Sequence, residues 1–314
     1  MSADIGAYDG GFERQAAQST HESSTPARRQ ARAELDEHID RAGPSQNWSL
    51  VNFDIGRPLG KGHFGKVYLA RVKAPLEPFI LVLKCLLKDE VIDQNVQNQV
   101  RREIEPRHPN VLRLYGWFHD TSRIFLMLEF AGKGEVYKQL AKSGRFSEKR
   151  SSRYIRQVAD GLAYLHTKNV IHRDIKPENL LIGMNGEIKI GDFGWSVYSP
   201  QEDSQRTIAG TLSYVAPEMI LGQPYGRAVD IWALGVLTYE FLCGEEPFAA
   251  DTSAVKQQRI CRVDVRYPEH VSLEARDLMN KLFRPIPAER MPLCEVPARR
   301  WIKMHHETEG KRHG

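Results

Sequence analysis

The spacing of apolar residues changes character partway along the chain. Short strand-like runs come first: Val51–Leu59, Lys66–Val72, Phe79–Leu86, Val111–Phe118 and Arg123–Glu129. Glycine, proline and charged residues separate them, as expected of strands joined by turns. Between the third and fourth runs, the polar stretch Asp89–Glu105 is a helix candidate. After Gly134 the period lengthens. Tyr154, Ile155, Val158, Leu162 and Leu165 recur at three- and four-residue steps, which predicts a helix with one apolar face. Arg227–Cys243 is apolar nearly all round and predicts a buried central helix. A further helix is expected at Leu273–Phe283, and no internal repeat is visible. The expected class is α+β: a β-rich part with one helix at about 49–128, a hinge at 129–134 and a helical part at 135–303.

The flanks read differently. Residues 1–48 are rich in Ser, Gln, Glu, Arg and Ala, with few large apolar side chains. Such a stretch buries too little surface to offset its ordering entropy, so a disordered tail is expected. Within it, residues 27–42 contain good helix formers that could fold on a partner. Residues 304–314, with His305 and His306, read as a C-terminal tail.

Composition narrows the classes. The chain has 314 residues, 41% of them hydrophobic, which suffices for a sizeable core. A formal charge of +4 does not by itself argue for nucleic-acid binding. Cysteines at 85, 243, 261 and 294 lack metal-ligand spacing, so core packing in a reducing compartment is expected. The opening Met-Ser-Ala-Asp has neither the basic start nor the apolar run of a signal peptide. No stretch approaches the ~18 uncharged apolar residues of a membrane span.

The candidate chemistry begins at Gly60-Lys61-Gly62-His-Phe-Gly65-Lys-Val67. Glycines let the backbone approach phosphate oxygens without an intervening Cβ. A P-loop would require a hydroxyl where Val67 stands. A dinucleotide fold would require a helix next, whereas Lys66–Val72 alternates like a strand. Lys84 sits in the apolar run Phe79–Lys84, where a lysine needs an anion, and nucleotide phosphates would supply one. Glu103 is its expected carboxylate partner, with Glu105 as second choice. Farther on, His172-Arg-Asp174-Ile-Lys176-Pro-Glu178-Asn179 is similar to a protein-kinase catalytic loop. Phosphoryl transfer depends mainly on positioning and charge neutralisation. Asp174 would accept the substrate hydroxyl proton, Lys176 would meet the moving phosphate, and the Asn179 amide oxygen would hold one magnesium. Asp192, in Asp192-Phe-Gly194, would hold magnesium between the phosphates, and Ala216-Pro-Glu218 closes the following segment.

From about 51 to 303 the chain resembles an Aurora-type serine/threonine kinase. Asp192-Phe-Gly-Trp195-Ser196-Val197 carries the resemblance most specifically, supported by Leu112–Asp120, His172–Leu181 and Gly235–Leu242. The branch it resembles is the chromosomal-passenger, Aurora B-like one, of fungal or other lower-eukaryote type. The resemblance implies the bilobal eukaryotic protein kinase fold, with ATP and Mg2+ as cofactors. Leu59, Gly60, Lys61, Gly62, Gly65, Val67, Glu178 and Asn179 would line the nucleotide. Leu128 would face adenine, and the backbone at Glu129 and Ala131 would hydrogen-bond it. Thr207 would be an activation-loop phosphosite gathered by Arg102 and Arg173. Glu178 and Glu135 would attract arginines upstream of the phosphorylated residue. The implied partners are basic protein substrates such as histone tails and kinetochore proteins, and an inner-centromere-type activating scaffold. No direct nucleic acid or membrane partner is implied. The implied locations are the nucleus, centromere–kinetochore and spindle, with a cytoplasmic pool.

The sequence departs from the family pattern in three places. The segment Arg101–Asn110 is short by about four residues, one helical turn, and Pro106 disfavours helix at Glu105. A deletion or a gene-model error would each produce this. Gln205 stands where arginine is usual, with Arg206 displaced beside it. Cys294–Trp301 is a degraded closing helix containing Pro297. The shortened segment motivates an alternative: a catalytically impaired kinase-fold scaffold that binds nucleotide or a partner. A small-molecule phosphotransferase could share the catalytic loop, but Trp195–Val215 and Ala216–Glu218 argue for a protein substrate.

Overall fold

A computed structural model of the chain describes residues 4–12, 30, 33, 48–62, 65–73, 79–89, 107–192, 197–198 and 211–310. The contacts divide it into two compact units. One comprises residues up to Arg107 together with Leu112–Phe130, and the other His108–Val111 with Ala131 onward.

The first unit is an antiparallel sheet of β1 (Phe53–Gly62), β2 (Gly65–Val72), β3 (Ile80–Leu87), β4 (Leu114–His119) and β5 (Arg123–Leu128), in the order β1-β2-β3-β5-β4. Side chains alternate across a strand, so the register separates two faces. Tyr68, Leu83, Cys85, Phe125 and Met127 belong to one buried cluster with Phe53 and Phe118. Val67, Lys84 and Leu126 stand in one row on the other, and Val82 is paired with Leu128. Strand β1 runs past the expected end at Leu59, because pairing with β2 continues to Gly62↔Gly65. Gly65 has a structural reason to be glycine: a Cβ there would lie 1.7 Å from the Cys85 carbonyl oxygen. The expected helix at Asp89–Glu105 begins at Lys88 and Asp89; its remainder lies outside the described residues.

Residues 4–12 depart from the expected solvated tail. Ile5 and Phe12 are buried, and Phe12 belongs to the aromatic cluster on the sheet. Three apolar or aromatic side chains, Ile5, Tyr8 and Phe12, spaced three and four residues apart, give this short stretch enough to bury.

The second unit is largely helical: α1 (Val136–Ser143), α2 (Glu148–Thr167), α3 (Pro217–Ile220), α4 (Ala228–Cys243), α5 (Ser253–Arg262), α6 (Leu273–Leu282) and α7 (Arg300–Gly310). Between α2 and α3 lie short strands: β6 (Val170–Ile171) pairs with β9 (Val197–Tyr198), and β7 (Leu180–Ile182) with β8 (Ile188–Ile190). Helix α4 is buried almost all round, as its sequence predicts. Val111, expected in β4, instead bridges Ile190, while Asn110 Nδ2 donates to the Ile188 carbonyl over 3.0 Å. That side-chain bond ties His108–Val111 to the helical unit. No described helix is long and apolar enough to cross a membrane.

The C-terminal segment is also more ordered than expected. Pro297 sits in a 3-10 turn, Leu293–Ala298, which spares it an α-helix interior. Helix α7 then continues through His305 and His306. Its Trp301 is fully buried and donates to Glu148 Oε2 over 3.1 Å, while Glu148 Oε1 accepts from the Ser272 amide over 2.8 Å. One carboxylate in the first turn of α2 therefore ties the starts of α6 and α7. Removing so large a buried ring leaves a cavity and takes one hydrogen bond from Glu148, so Trp301→Ala is expected to cost ~3–5 kcal/mol. Urea unfolding measures it, and a loss below about 1 kcal/mol contradicts this docking of α7.

Candidate active site

The loop from His172 to Asn179 is fixed by Asp230, in the first turn of α4. The Asp230 carboxylate is fully buried. Its Oδ2 accepts from the His172 amide at 2.9 Å and stands 2.8 Å from His166 Nε2; its Oδ1 accepts from the Arg173 amide at 2.8 Å. Burial pushes this carboxyl upward, but hydrogen bonding and charge from His166, with His172 and the Arg173 amide, outweigh it and hold the group below its ordinary value. Arg173 adopts φ 67°, a left-handed conformation costing roughly 1–3 kcal/mol for a side-chain-bearing residue. The paired amides explain how that conformation is held.

Downstream of the clamp, Asp174, Lys176, Asn179 and Thr211 converge. Asp174 is 3% exposed. Lys176 Nζ lies 3.0 Å from Asp174 Oδ2, and Asn179 Nδ2 donates to the same oxygen over 2.7 Å. Thr211 donates from its amide to Asp174 Oδ1 over 3.3 Å, and its Oγ1 accepts from Lys176 over 2.8 Å. The Asn179 amide nitrogen thus faces Asp174, and the amide oxygen is the end that could meet a cation. His172 meets the Gly191 carbonyl at 3.0 Å, tying this loop to the residue before Asp192. Asp192 also takes a left-handed backbone, φ 51°. Asn179 and Asp192 are both hard oxygen donors, the ligand chemistry magnesium prefers.

In the first unit, Lys84 is buried on the sheet face that carries Val67, Val82, Leu126 and Leu128. Among the described residues, its chain neighbours aside, no atom lies within 4 Å of where a Cβ of Gly60 would stand, so that position is open, as a backbone facing a ligand would be. At the unit boundary, the Glu129 amide donates to the Arg113 carbonyl over 2.8 Å, and the Ala131 carbonyl accepts from the Gly134 amide over 3.1 Å. Glu178 is exposed and Glu135 lies 2.9 Å from Lys138 Nζ. Arg173 NH1 donates to the Tyr225 hydroxyl over 3.0 Å. Glu103, Arg102, Thr207, Gln205, Arg206 and the Glu105–Pro106 segment lie outside the described residues.

Several residues here were not singled out from sequence. Asp230 and Thr211 sit far from the motif they hold, and nothing in local spacing links them to it. Glu178 and Glu246 both act electrostatically on Glu240. Burial pushes the Glu240 carboxyl up to about 7, assisted by Glu178 and Glu246 and opposed by the hydrogen bond from Tyr214. Glu246 accepts from Ser213 Oγ over 2.5 Å and pairs with Lys256. Glu218, of Ala216-Pro-Glu218, forms a fully buried two-pronged ion pair with Arg290, both contacts 2.6 Å.

Comparison with known proteins supplies the family context. Residues 53–302 match the protein kinase domain model. Aurora kinase A-A of Xenopus laevis is 50% identical over 273 residues, covering 86% of this chain and 66% of that protein. Aurora kinase B-A of Xenopus laevis is 50% identical over 264 residues, covering 83% and 72% respectively. The Schizosaccharomyces pombe Aurora kinase is 49% identical over 273 residues, covering 85% and 76%. The chain therefore spans slightly less than two thirds of the length of the Aurora kinase A relative.

The clamp on the loop has a measurable signature. Asp230→Asn removes a buried charge that serves three donors, and is expected to cost ~3–5 kcal/mol of stability. A carboxyl held below its ordinary 3.8 stabilises the fold above that pH and loses its contribution as pH falls through the depressed folded value. The parent's acid-side loss of stability should therefore be smaller in Asp230→Asn. Identical acid limbs in urea titrations of the two would contradict the ion-pair role.

Proposed function

This chain belongs to the protein kinase family and, within it, to the Aurora kinases, and we propose that it transfers the ATP γ-phosphoryl group to serine or threonine of proteins in basic contexts. The observation that carries the reading is the Asp174 carboxylate, buried and held by Lys176, Asn179 and Thr211. A carboxylate oriented in this way can accept a hydroxyl proton, while Lys176 offers a positive charge to the phosphoryl oxygens beside it. Magnesium-ATP, when bound, supplies the phosphoryl group and the metal charge that offsets its oxygens. Asn179 and Asp192 would hold the metal. Lys84 would orient the α- and β-phosphates, with Glu103 as its partner. Leu59, Gly60, Lys61, Gly62, Gly65 and Val67 would line the nucleotide with Glu178, and Leu128, Glu129 and Ala131 would position adenine.

Substrate choice follows from charge. In the helical unit Glu240 feels the charges of Glu178 and Glu246, and a cluster of acidic groups favours an arginine-bearing peptide. Glu135 would add to this preference. Phosphorylation of Thr207, gathered by Arg102 and Arg173, would order the activation segment. Histone tails and kinetochore proteins as substrates, an inner-centromere-type scaffold, a role in chromosome segregation, and location at the centromere, spindle and nucleus belong to this reading as what kinship with Aurora kinases implies.

Labelled ATP and an arginine-containing peptide test the chemistry. Asp174→Asn should lose ~100-fold or more in incorporation, and equal incorporation would remove the role of Asp174. If magnesium-ATP raises the melting temperature of the parent yet no peptide is phosphorylated, even with an activating scaffold, the scaffold reading replaces this one.

A second test uses pH. A carboxyl raised from 4.5 to about 7 keeps its proton in the folded state over that window, so its contribution to stability falls as pH rises through it. A bound guanidinium favours the ionised form. KM for the peptide should therefore fall as pH rises through about 7, and Glu240→Gln should flatten that dependence. An unchanged pH profile in Glu240→Gln would exclude Glu240 from substrate recognition.

A further inference from the structure

The N-terminal segment 4–12 is attached to the sheet by contacts rather than by chain continuity, since residues 13–47 intervene before Trp48. It covers the face opposite Lys84. Phe12 is 1% exposed, with its ring 4.5 Å from Tyr68 and 5.4 Å from Phe125. Tyr8 lies edge-on to Tyr68 at 5.4 Å, and Ile5 is 8% exposed. The polar contacts are directional. The Arg57 amide donates to the Ile5 carbonyl over 2.8 Å, and the Tyr68 hydroxyl donates to Asp9 Oδ1 over 2.8 Å. Lys66 Nζ donates to the Gly11 carbonyl over 3.3 Å, and Arg123 NH1 to the Phe12 carbonyl over 2.8 Å.

The fit is reciprocal at two glycines. A Cβ on Gly11 would lie 1.6 Å from the Tyr68 hydroxyl oxygen, and a Cβ on Gly56 would lie 2.2 Å from the Ile5 carbonyl oxygen. For Gly56 the three nearest atoms to that Cβ all belong to Ile5. The sheet therefore leaves a vacancy at Gly56 that the segment fills, and the segment leaves one at Gly11 that the sheet fills. Side-chain anchors, backbone bonds from strand to peptide and matched glycines are how a groove holds a peptide. Tethering raises the local concentration of such a peptide far above what free association would give.

We propose that the sheet face opposite Lys84 is a peptide-docking groove occupied in cis by residues 4–12, a detachable strap whose Ile5, Tyr8 and Phe12 are its anchors. Release of the strap uncovers Tyr68 and Phe125, which a peptide with the same aromatic spacing can then cover. This inference concerns a different face from the phosphoryl-transfer chemistry and does not depend on it.

The test uses the full chain and a labelled peptide with the sequence of residues 1–14. Gly11→Val should unseat the strap and leave the groove intact. Hydrogen exchange at the Arg57 amide should accelerate by about tenfold or more relative to the parent. The peptide should bind Gly11→Val saturably and restore Arg57 protection, and it should bind the parent about tenfold more weakly or less. The same peptide carrying Phe12→Ala should not bind. Gly56→Ala, which sets a methyl in the place of Ile5 without altering the strap, should give the same acceleration of exchange. Unchanged Arg57 exchange in both variants, or no binding of the peptide to Gly11→Val, overturns the proposal.

Discussion

The buried carboxylate of Asp230 is the constraint on which the loop from His172 to Asn179 depends. It collects the amides of His172 and Arg173 together with the His166 ring, and it is supplied by a helix that is itself enclosed in the core. Because that helix is packed all round, the carboxylate cannot move to suit the loop; the loop conforms to it. The left-handed backbone at Arg173 is the visible consequence. The loop then sets Asp174 where Lys176, Asn179 and Thr211 can hold it. Order passes from a hydrophobic helix, through one buried charge, to the residue that would take the proton.

The sheet divides its duties by face. Alternation along β3 puts Lys84 on one side and Leu83 and Cys85 on the other. A buried ammonium needs anionic or polar company, and Val67, Val82, Leu126 and Leu128 share its face of the sheet. The opposite face is closed by aromatic packing, with Phe12 contributed from far along the chain.

Much of this was legible in the residues themselves. The strands and the three helices with strong apolar patterns emerged close to their expected limits, because periodicity records burial directly. The motif around Asp174 was legible because its members are near in sequence. Asp230, Thr211 and Glu240 were not, since their roles arise only when the fold brings them to that motif. The N-terminal segment was misread for a related reason. Its composition averaged over residues 1–48 is polar, and three anchors spaced for a groove do not alter that average. Pro297 and α7 show the converse: a proline that forbids an α-helix is accommodated by a 3-10 turn, and helix resumes after it.

The central proposal is that Lys84, Asn179, Asp192 and Asp174 act on bound magnesium-ATP. A crystal structure of the full chain with magnesium and a non-hydrolysable ATP analogue tests it most directly. The account predicts the Lys84 ammonium on the α- and β-phosphates, the oxygens of Asn179 and Asp192 on the metal, and the Asp174 carboxylate facing the space beyond the terminal phosphate. A nucleotide bound without contact to Lys84, Asn179 or Asp192 would contradict it.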